Sequence, residues 1–246
     1  MPRNILVFGA TSAIAHAVGR RYAEEGANFV LIARDPAKLD ANAADLSVRG
    51  AAKAIALAAD LNDFAGHRAL ISRALAELGS LDLVLIAQGT LPDQDRSEND
   101  VEQMRLAIDT NLFSVMSLAT MAALKMAEQR RGSLVVLGSV AGDRGKRSNY
   151  VYGAAKAGVA VFLDGLRARV RDDGVHVLTV KPGFVDTPMT SGFRKGPLWV
   201  SPERVATAVR RGVEQRRSVI YVPWFWRPMM FVIRALPSAI LVRLKI

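Results

Sequence analysis

The stretch N-I-L-V-F-G-A-T-S-A-I-A, residues 4 to 15, decides the fold. An apolar run that breaks at a glycine and passes into small and polar residues reads as a buried strand, a tight turn and the start of a helix. Gly9 permits the turn. Thr11 and Ser12 offer hydroxyls and backbone N–H groups, and Ala13 and Ala15 are small enough for close approach. A dinucleotide pyrophosphate meets a helix N-terminus at such a turn. Any α/β sheet also needs strand–helix turns of this shape, so both readings stand on this segment alone.

Six further apolar runs follow, at residues 28–33, 54–59, 81–87, 133–138, 175–180 and 218–222, with longer helical patterns between them. Seven short runs alternating with helices predict βαβ units and a parallel sheet. Right-handed crossovers place helices on both of its faces. No repeat, low-complexity linker or domain break interrupts the pattern. The reading is one α/β domain over residues 1–223, extended by an apolar and basic tail over 224–246. The loop from Pro182 to Val200 is long and rich in Gly and Pro, as lids often are.

The chain has 246 residues, half of them hydrophobic, enough for one sizeable core. It contains no cysteine, which excludes disulfides and thiolate metal sites. His16, His67 and His176 are scattered without H-x-x-x-H spacing, so no metal site is expected. No G-x-S-x-G elbow is present for a serine hydrolase. Met1 to Asn4 lead straight into the first strand, and no run reads as a membrane span, so the expected location is the cytoplasm or a membrane periphery. The net charge of +10 is uneven. Residues 1–180 carry 21 Lys/Arg against 20 Asp/Glu, and residues 181–246 carry 12 against 3. That concentration suggests an anionic partner for the last quarter of the chain.

Tyr152 and Lys156 stand four apart in Y-G-A-A-K, and Ser139 ends the run S-L-V-V-L-G-S. On a helix, positions i and i+4 share a face, so Lys156 would sit beside the Tyr152 phenol and favour its ionised form. Ser139 falls at the carboxyl end of a strand, where open parallel sheets gather their chemistry. A phenol beside an ammonium and a hydroxyl can move a proton onto or off a carbonyl oxygen. The pair alone is also what an amphipathic helix with an exposed lysine would show.

The second strand ends Ala33, Arg34, Asp35. An acid there would accept from a ribose 2′-hydroxyl, whereas a base suits a 2′-phosphate. Ala33 stands where the acid would be sought and Arg34 follows, which favours NADP(H) over NAD(H) unless Arg34 merely pairs with Asp35. Asp60, after the third run, either accepts from an adenine amino group or caps the next helix.

Taken together, the turn at Gly9, Asp60, Asn111 in D-T-N-L-F, Ser139, Tyr152, Lys156 and P-G-F-V-D-T from Pro182 to Thr187 resemble the classical short-chain dehydrogenase/reductase family over nearly the whole chain. The resemblance implies a Rossmann-type, doubly wound sheet of seven strands, a nicotinamide cofactor and an Asn111–Ser139–Tyr152–Lys156 tetrad. By that likeness Tyr152 is the general acid/base, Ser139 orients the substrate oxygen, Lys156 holds the nicotinamide ribose and Asn111 supports a proton relay through water. The cofactor would also meet Gly9, Thr11, Ser12, Ala13, Ile14, Arg34, Asp60, Leu61, Gly89, Pro182 and Gly183, with Val185 and Thr187 at the carboxamide. The helices near residues 100–130 and 150–172 would build a homodimer or homotetramer. Two motifs depart from the family: T-G-x-x-x-G-x-G reads F-G-A-T-S-A-I-A, and N-N-A-G reads I-A-Q-G from Ile86 to Gly89.

A closer likeness is to the reductase of the actinobacterial system that epimerises decaprenylphosphoryl ribose to arabinose. It lies in G-S-V-A-G-D-R-G-K-R-S-N-Y-V-Y-G-A-A-K-A-G, in V-K-P-G-F-V-D-T-P-M, and in the terminal R-P-M-M-F-V-I-R-A-L-P-S-A-I-L-V-R-L-K-I. It implies a 2-keto sugar on a polyprenyl phosphate as substrate. In the tail, Trp224, Phe225, Trp226, Met229, Met230 and Phe231 alternate with Arg227, Arg234, Arg243 and Lys245, and Pro237 divides it. This fits a helix lying in a membrane interface, and equally one packed on the core or a second subunit. Arg144, Lys146 and Arg147 would stand near the site mouth as a phosphate clamp, or form a solvated loop.

The expected function is thus an NADP(H)-dependent reductase of a small-molecule or lipid-linked carbonyl compound. A reductase of a steroid-like or acyl ketone and a non-catalytic NADP(H)-binding regulator remain the alternatives. Nucleic acid is not expected as a partner, because the tail's arginines are interleaved with apolar residues and no recognition motif accompanies them.

Overall fold

The computed structural model describes residues 3–241, among which seven strands form one sheet. Residues 1–2 and 242–246 lie outside the described residues, and with them Arg243 and Lys245 of the tail. The first half comprises β1 (Asn4–Phe8), α1 (Ala13–Ala23), β2 (Asn28–Ala33), α2 (Pro36–Val48), β3 (Lys53–Ala58), α3 (His67–Leu78) and β4 (Leu83–Ile86). The second comprises α4 (Gln94–Asn99), α5 (Val101–Ile108), α6 (Ser114–Glu128), β5 (Gly132–Leu137), α7 (Tyr150–Val170), β6 (Val175–Pro182), α8 (Pro202–Glu214) and β7 (Val219–Val222). Two tail helices follow, α9 (Trp226–Ala235) and α10 (Ser238–Leu241). The strands pair in parallel in the order β3-β2-β1-β4-β5-β6-β7. The chain is the α/β doubly wound, Rossmann-type fold that its sequence predicts, and each apolar run matches its strand to within two residues.

The runs are continuous rather than alternating because both faces of the sheet are covered. Ile5, Val7, Leu31, Leu85, Val135 and Leu178 pack beneath α1, α2 and α8 with Val18, Leu39 and Val209. Their neighbours Leu6, Phe8, Ile32, Ile86, Val136 and Val177 pack on the other face with Ile71, Leu118, Met126 and Leu163 from α3, α6 and α7. Strand order reverses between β1 and β4. Chains leave these two strands in opposite directions, opening a crevice at their carboxyl ends.

Helix starts are written in the sequence. Asp35 accepts from the Lys38 N–H at 3.1 Å and Pro36 opens α2, while Ser201 and Pro202 do the same for α8. The three histidines have structural partners. His67 meets Leu61 O and Ser117 Oγ, His176 meets Arg217 O, and His16 meets Asp45.

One expectation needs correcting. Val101–Glu128 forms a continuous helical run of 28 residues with a mean hydropathy of 1.3 in its most apolar window, enough by length and composition to cross a bilayer. Charged residues near its start hide this in the sequence. The packing identifies it as a core helix, because Leu118, Ala119, Ala122, Ala123 and Met126 are fully buried on the sheet. The run is interrupted at Asp109–Phe113 by a wider, π-type turn that joins α5 to α6.

Candidate active site

Every residue of the expected tetrad and cofactor set lines one cavity of about 800 Å³ at the carboxyl ends of the strands. At one end, Gly9 takes φ +72°, and a Cβ there would lie 2.4 Å from the Gln88 nitrogen. The residue must therefore be glycine for two reasons, a left-handed turn and the close passage of the chain after β4. Thr11, Ser12, Ala13 and Ile14 follow on the cavity wall. Ser12 stands at the N-cap of α1 but makes no capping hydrogen bond, so no side chain covers the helix's first N–H groups. An uncapped helix N-terminus facing a cavity is suited to a phosphate.

Arg34 and Lys38 line the wall beside this turn. Asp35 pairs with Lys38 at 3.2 Å, so the expected alternative of an Arg34–Asp35 pair does not occur. Asp60 accepts from the Asn62 N–H at 3.0 Å and caps a local turn, while Asp63 caps the short helical turn that follows. Leu61 and Gly89 complete this half. Lys38 was not foreseen. It lies four residues beyond Arg34, on the first turn of α2, and that spacing was the available signal.

The other half gathers the four polar residues. Asn111 is fully buried and rides on the π-type turn. Its amide donates to Ala107 O at 3.0 Å, and its Oδ1 accepts from the Thr90 N–H at 3.1 Å. Lys156, on α7, is 4% exposed and donates to Leu137 O at 3.2 Å. Its Nζ lies 5.6 Å from the centre of the Tyr152 ring. Ser139 follows β5 and accepts from the Ala141 N–H at 3.1 Å. The turn Val140–Gly142 sits directly on α7, because a Cβ at Gly142 would lie 2.6 Å from the Lys156 carbonyl carbon. That close seat brings the end of β5 against the first turns of α7.

The electrostatics differ from the sequence expectation in one respect. Burial raises the Tyr152 phenol, and its interaction with Ser139 pulls only partly the other way. Burial also lowers Lys156 to about 8. Burial shifts both groups toward their neutral forms, although Lys156 stays mainly charged at neutral pH, and the low-dielectric wall outweighs the lysine's expected effect on the phenol.

The basic loop resolves into three fates. Lys146 lines the cavity, Arg147 is exposed outside it, and Arg144 reaches the tail, 3.4 Å from Leu236 O and from Ser238 Oγ. Asp143 is buried. It takes Lys181 Nζ at 2.5 Å and the Tyr221 hydroxyl at 2.8 Å, which moors the loop to β6 and β7. Burial and the Asp143 contact push the Tyr221 phenol up to about 12.

The tail also divides. Trp226 is 4% exposed and forms cavity wall, lying over Gly183 where no Cβ would fit. Met230 is buried with it against Val140, and Phe184 packs edge-on to Trp226 at 5.7 Å. Trp224 and Phe231 are about three-quarters exposed, at 74% and 75%. Sequence reasoning placed Trp226 only in a generic apolar tail; its contact with Gly183 is purely tertiary. Gln88, Thr90 and Asn149 are further wall residues outside the expected set. Beyond Pro182, Gly183, Val185 and Thr187, the long loop is pinched at its neck by the Val185–Val200 bridge and places Met189 and Phe193 on the cavity rim.

Comparison with known proteins adds an independent line. A family model described as short chain dehydrogenase matches residues 3–197. The chain is 40% identical over 233 residues to an uncharacterized oxidoreductase of Mycobacterium tuberculosis, covering 95% of this chain and 93% of that protein. It is 30% identical over 188 residues to a 3-oxoacyl-(acyl-carrier-protein) reductase of Chlamydia muridarum, covering 76% of each. A variant of actinorhodin polyketide ketoreductase, solved with NADPH, shares the fold with a TM-score of 0.77 at 24% identity, covering 85% of this chain and 89% of that one.

Proposed function

We propose, for a chain that belongs to the short chain dehydrogenase family, the reduction of a carbonyl group with NADPH as hydride source. The observation that carries this reading is the convergence of Asn111, Ser139, Tyr152 and Lys156 on one cavity whose far end is the uncapped N-terminus of α1. The residues present fit the cofactor. The open N–H groups at Ala13 and Ile14 would hold its pyrophosphate, and Arg34 with Lys38 its 2′-phosphate. Asp60 and Leu61 would meet the adenine, Gly89, Tyr152 and Lys156 the nicotinamide ribose, and Pro182, Gly183, Val185 and Thr187 the carboxamide end. When bound, the nicotinamide supplies the hydride.

The chain's own residues supply the proton. A phenol raised by burial stays protonated at neutral pH, so Tyr152 gives its proton to the substrate oxygen as charge develops there. Ser139 holds the same oxygen. Lys156 and Asn111 carry the replacement proton inward through water. Arg34→Ala is expected to weaken NADPH binding by about tenfold or more while leaving NADH binding unchanged, since a charge-assisted contact to phosphate is lost. Fluorescence titration with both cofactors reads this, and equal losses would refute the assignment of Arg34.

The finer reading is a substrate carried on an apolar chain, such as a keto-sugar on a polyprenyl phosphate, presented at a membrane surface. Its support is exposed Trp224, in the turn that leads into α9, and exposed Phe231 on α9 with Arg227 and Arg234, the helix whose buried face walls the cavity. Deleting residues 224–246 would strip that wall, so the informative variant is the double substitution Trp224→Ser, Phe231→Ser. It is expected to lose flotation with anionic liposomes while retaining its fold and its reduction of a water-soluble ketone. Unchanged flotation would count against the membrane reading. Exposed Val101, Leu106 and Phe113, with Val161 on α7, support a homo-oligomer built on these helices.

A further inference from the structure

Beyond Tyr152 the cavity wall carries polar groups for which the reduction step has no use. Lys146 lines the cavity half-buried, and among the described residues its ammonium has no ion pair and no hydrogen bond. Burial alone lowers its pKa, with no carboxylate opposing. Asp143, three residues away in the chain, is already engaged by Lys181 and Tyr221.

Three more residues on the same wall carry atoms unsatisfied among the described residues: Gln88, through its Oε1 beside the cofactor turn, and two others, one nearer Lys146 in the chain and one in the tail. The Asn149 side-chain oxygen and the Trp226 indole N–H are buried without a partner among the described residues. The Asn149 N–H donates to Lys146 O at 3.2 Å, and the Asn149 carbonyl accepts from the Gly153 N–H at 2.8 Å. Asn149 therefore sits within about a turn of Tyr152, and Lys146 one turn before Asn149. Phe184, Met189 and Phe193 supply apolar wall nearby. Buried polar atoms ordinarily find partners, and a half-buried ammonium without a partner is also costly to leave alone.

We propose that the ketone accepted here carries an anionic group, carboxylate or phosphate, on an apolar body, and that Lys146 binds that group. Asn149 and Trp226 take a hydroxyl and an acceptor on the part of the substrate between the anion and the carbonyl. Lys146 is then a specificity residue, outside the proton transfer. A neutral, steroid-like ketone would leave all three groups unpaired. The word ketone rests on the reductase reading; the anion site does not.

The test is calorimetric titration of the full-length protein with octanoate, octyl phosphate and octanol. The anions are expected to bind at least about tenfold more tightly than the alcohol, the increment of one charge-assisted hydrogen bond. Lys146→Met should erase that difference and leave octanol binding unchanged, and Lys146→Arg should retain it. The ratio of octanoate to octyl phosphate affinity identifies the anion. Equal binding of all three ligands, no binding of either anion, or a Lys146→Met loss shared by octanol would overturn the proposal. NADPH oxidation is followed separately with 7-oxooctanoate, which carries both the anion and the ketone, and with neutral octan-2-one. Anion discrimination without any turnover would sink the reductase reading alone, and turnover without discrimination would sink the Lys146 site alone.

Discussion

Tyr152→Phe is expected to lower turnover of a carbonyl substrate by about 10²- to 10⁴-fold, the usual contribution of a positioned acid. NADPH affinity should be unchanged. The Tyr152 hydroxyl interacts with Ser139 and its ring lies 5.6 Å from Lys156 Nζ, and phenylalanine preserves the ring and its packing. Because burial holds the phenol above its ordinary pKa, the proton-bearing form persists through neutral pH. Reduction should therefore show no loss of rate from this group until the medium is well into the alkaline range. Steady-state kinetics on the variant checks the first point, and a pH–rate profile of the parent checks the second. A Phe variant with undiminished turnover would end the mechanism.

Lys156→Met is expected to make the protein more stable and catalytically silent. Lys156 is 4% exposed and, among the described residues, has only the Leu137 carbonyl as a hydrogen-bond partner. Its pKa is about 8 in the folded chain, against an ordinary 10.5. Between these values the unfolded chain binds more protons, so stability rises with pH through that window. Below about pH 8 the folded chain carries the whole cost of the buried cation, about 3 kcal/mol for a shift of this size. Methionine removes that cost but strands the Leu137 carbonyl, which offsets part of it, leaving a net gain of about 1–2 kcal/mol at pH 7. For a chain of this length that is roughly 2–8 °C in Tm. Thermal unfolding at pH 7 and pH 9.5 reads both the gain and the flattening of the pH dependence. A lower Tm for the variant at pH 7 would show that the lysine is not strained by burial.

The sheet was legible because its strands are apolar on both faces, so each appears as an unbroken run without need of periodicity. Ser139, Tyr152 and Lys156 were legible as a strand end and an i, i+4 pair, whereas Asn111, buried inside a helical run at the π-type turn, came only with the family resemblance. What the sequence could not separate were outcomes decided by packing. Arg144, Lys146 and Arg147 are alike in composition, yet Lys146 turns inward, Arg147 outward and Arg144 toward the tail. Trp224 and Trp226 are two residues apart, yet one is exposed and the other walls the cavity. The phenol's direction of shift was misjudged for a related reason. Spacing reveals the neighbouring charge, but not how little water either group retains.

The π-type turn at Asp109–Phe113 has a consequence for how one rod serves two tasks. Successive residues of a regular helix advance by about 100°, so a helix of 28 residues has a single angular phase set by whichever face packs first. The wider turn accommodates an extra residue and resets that phase. α6 can then lock its small and apolar face onto the sheet while α5 keeps an orientation of its own. Asn111 stands at the point of the reset, where its amide reaches back to Ala107 O on α5 while its Oδ1 holds the Thr90 N–H, so the same turn that changes the phase also ties the helix to the chain after β4 at the cavity wall.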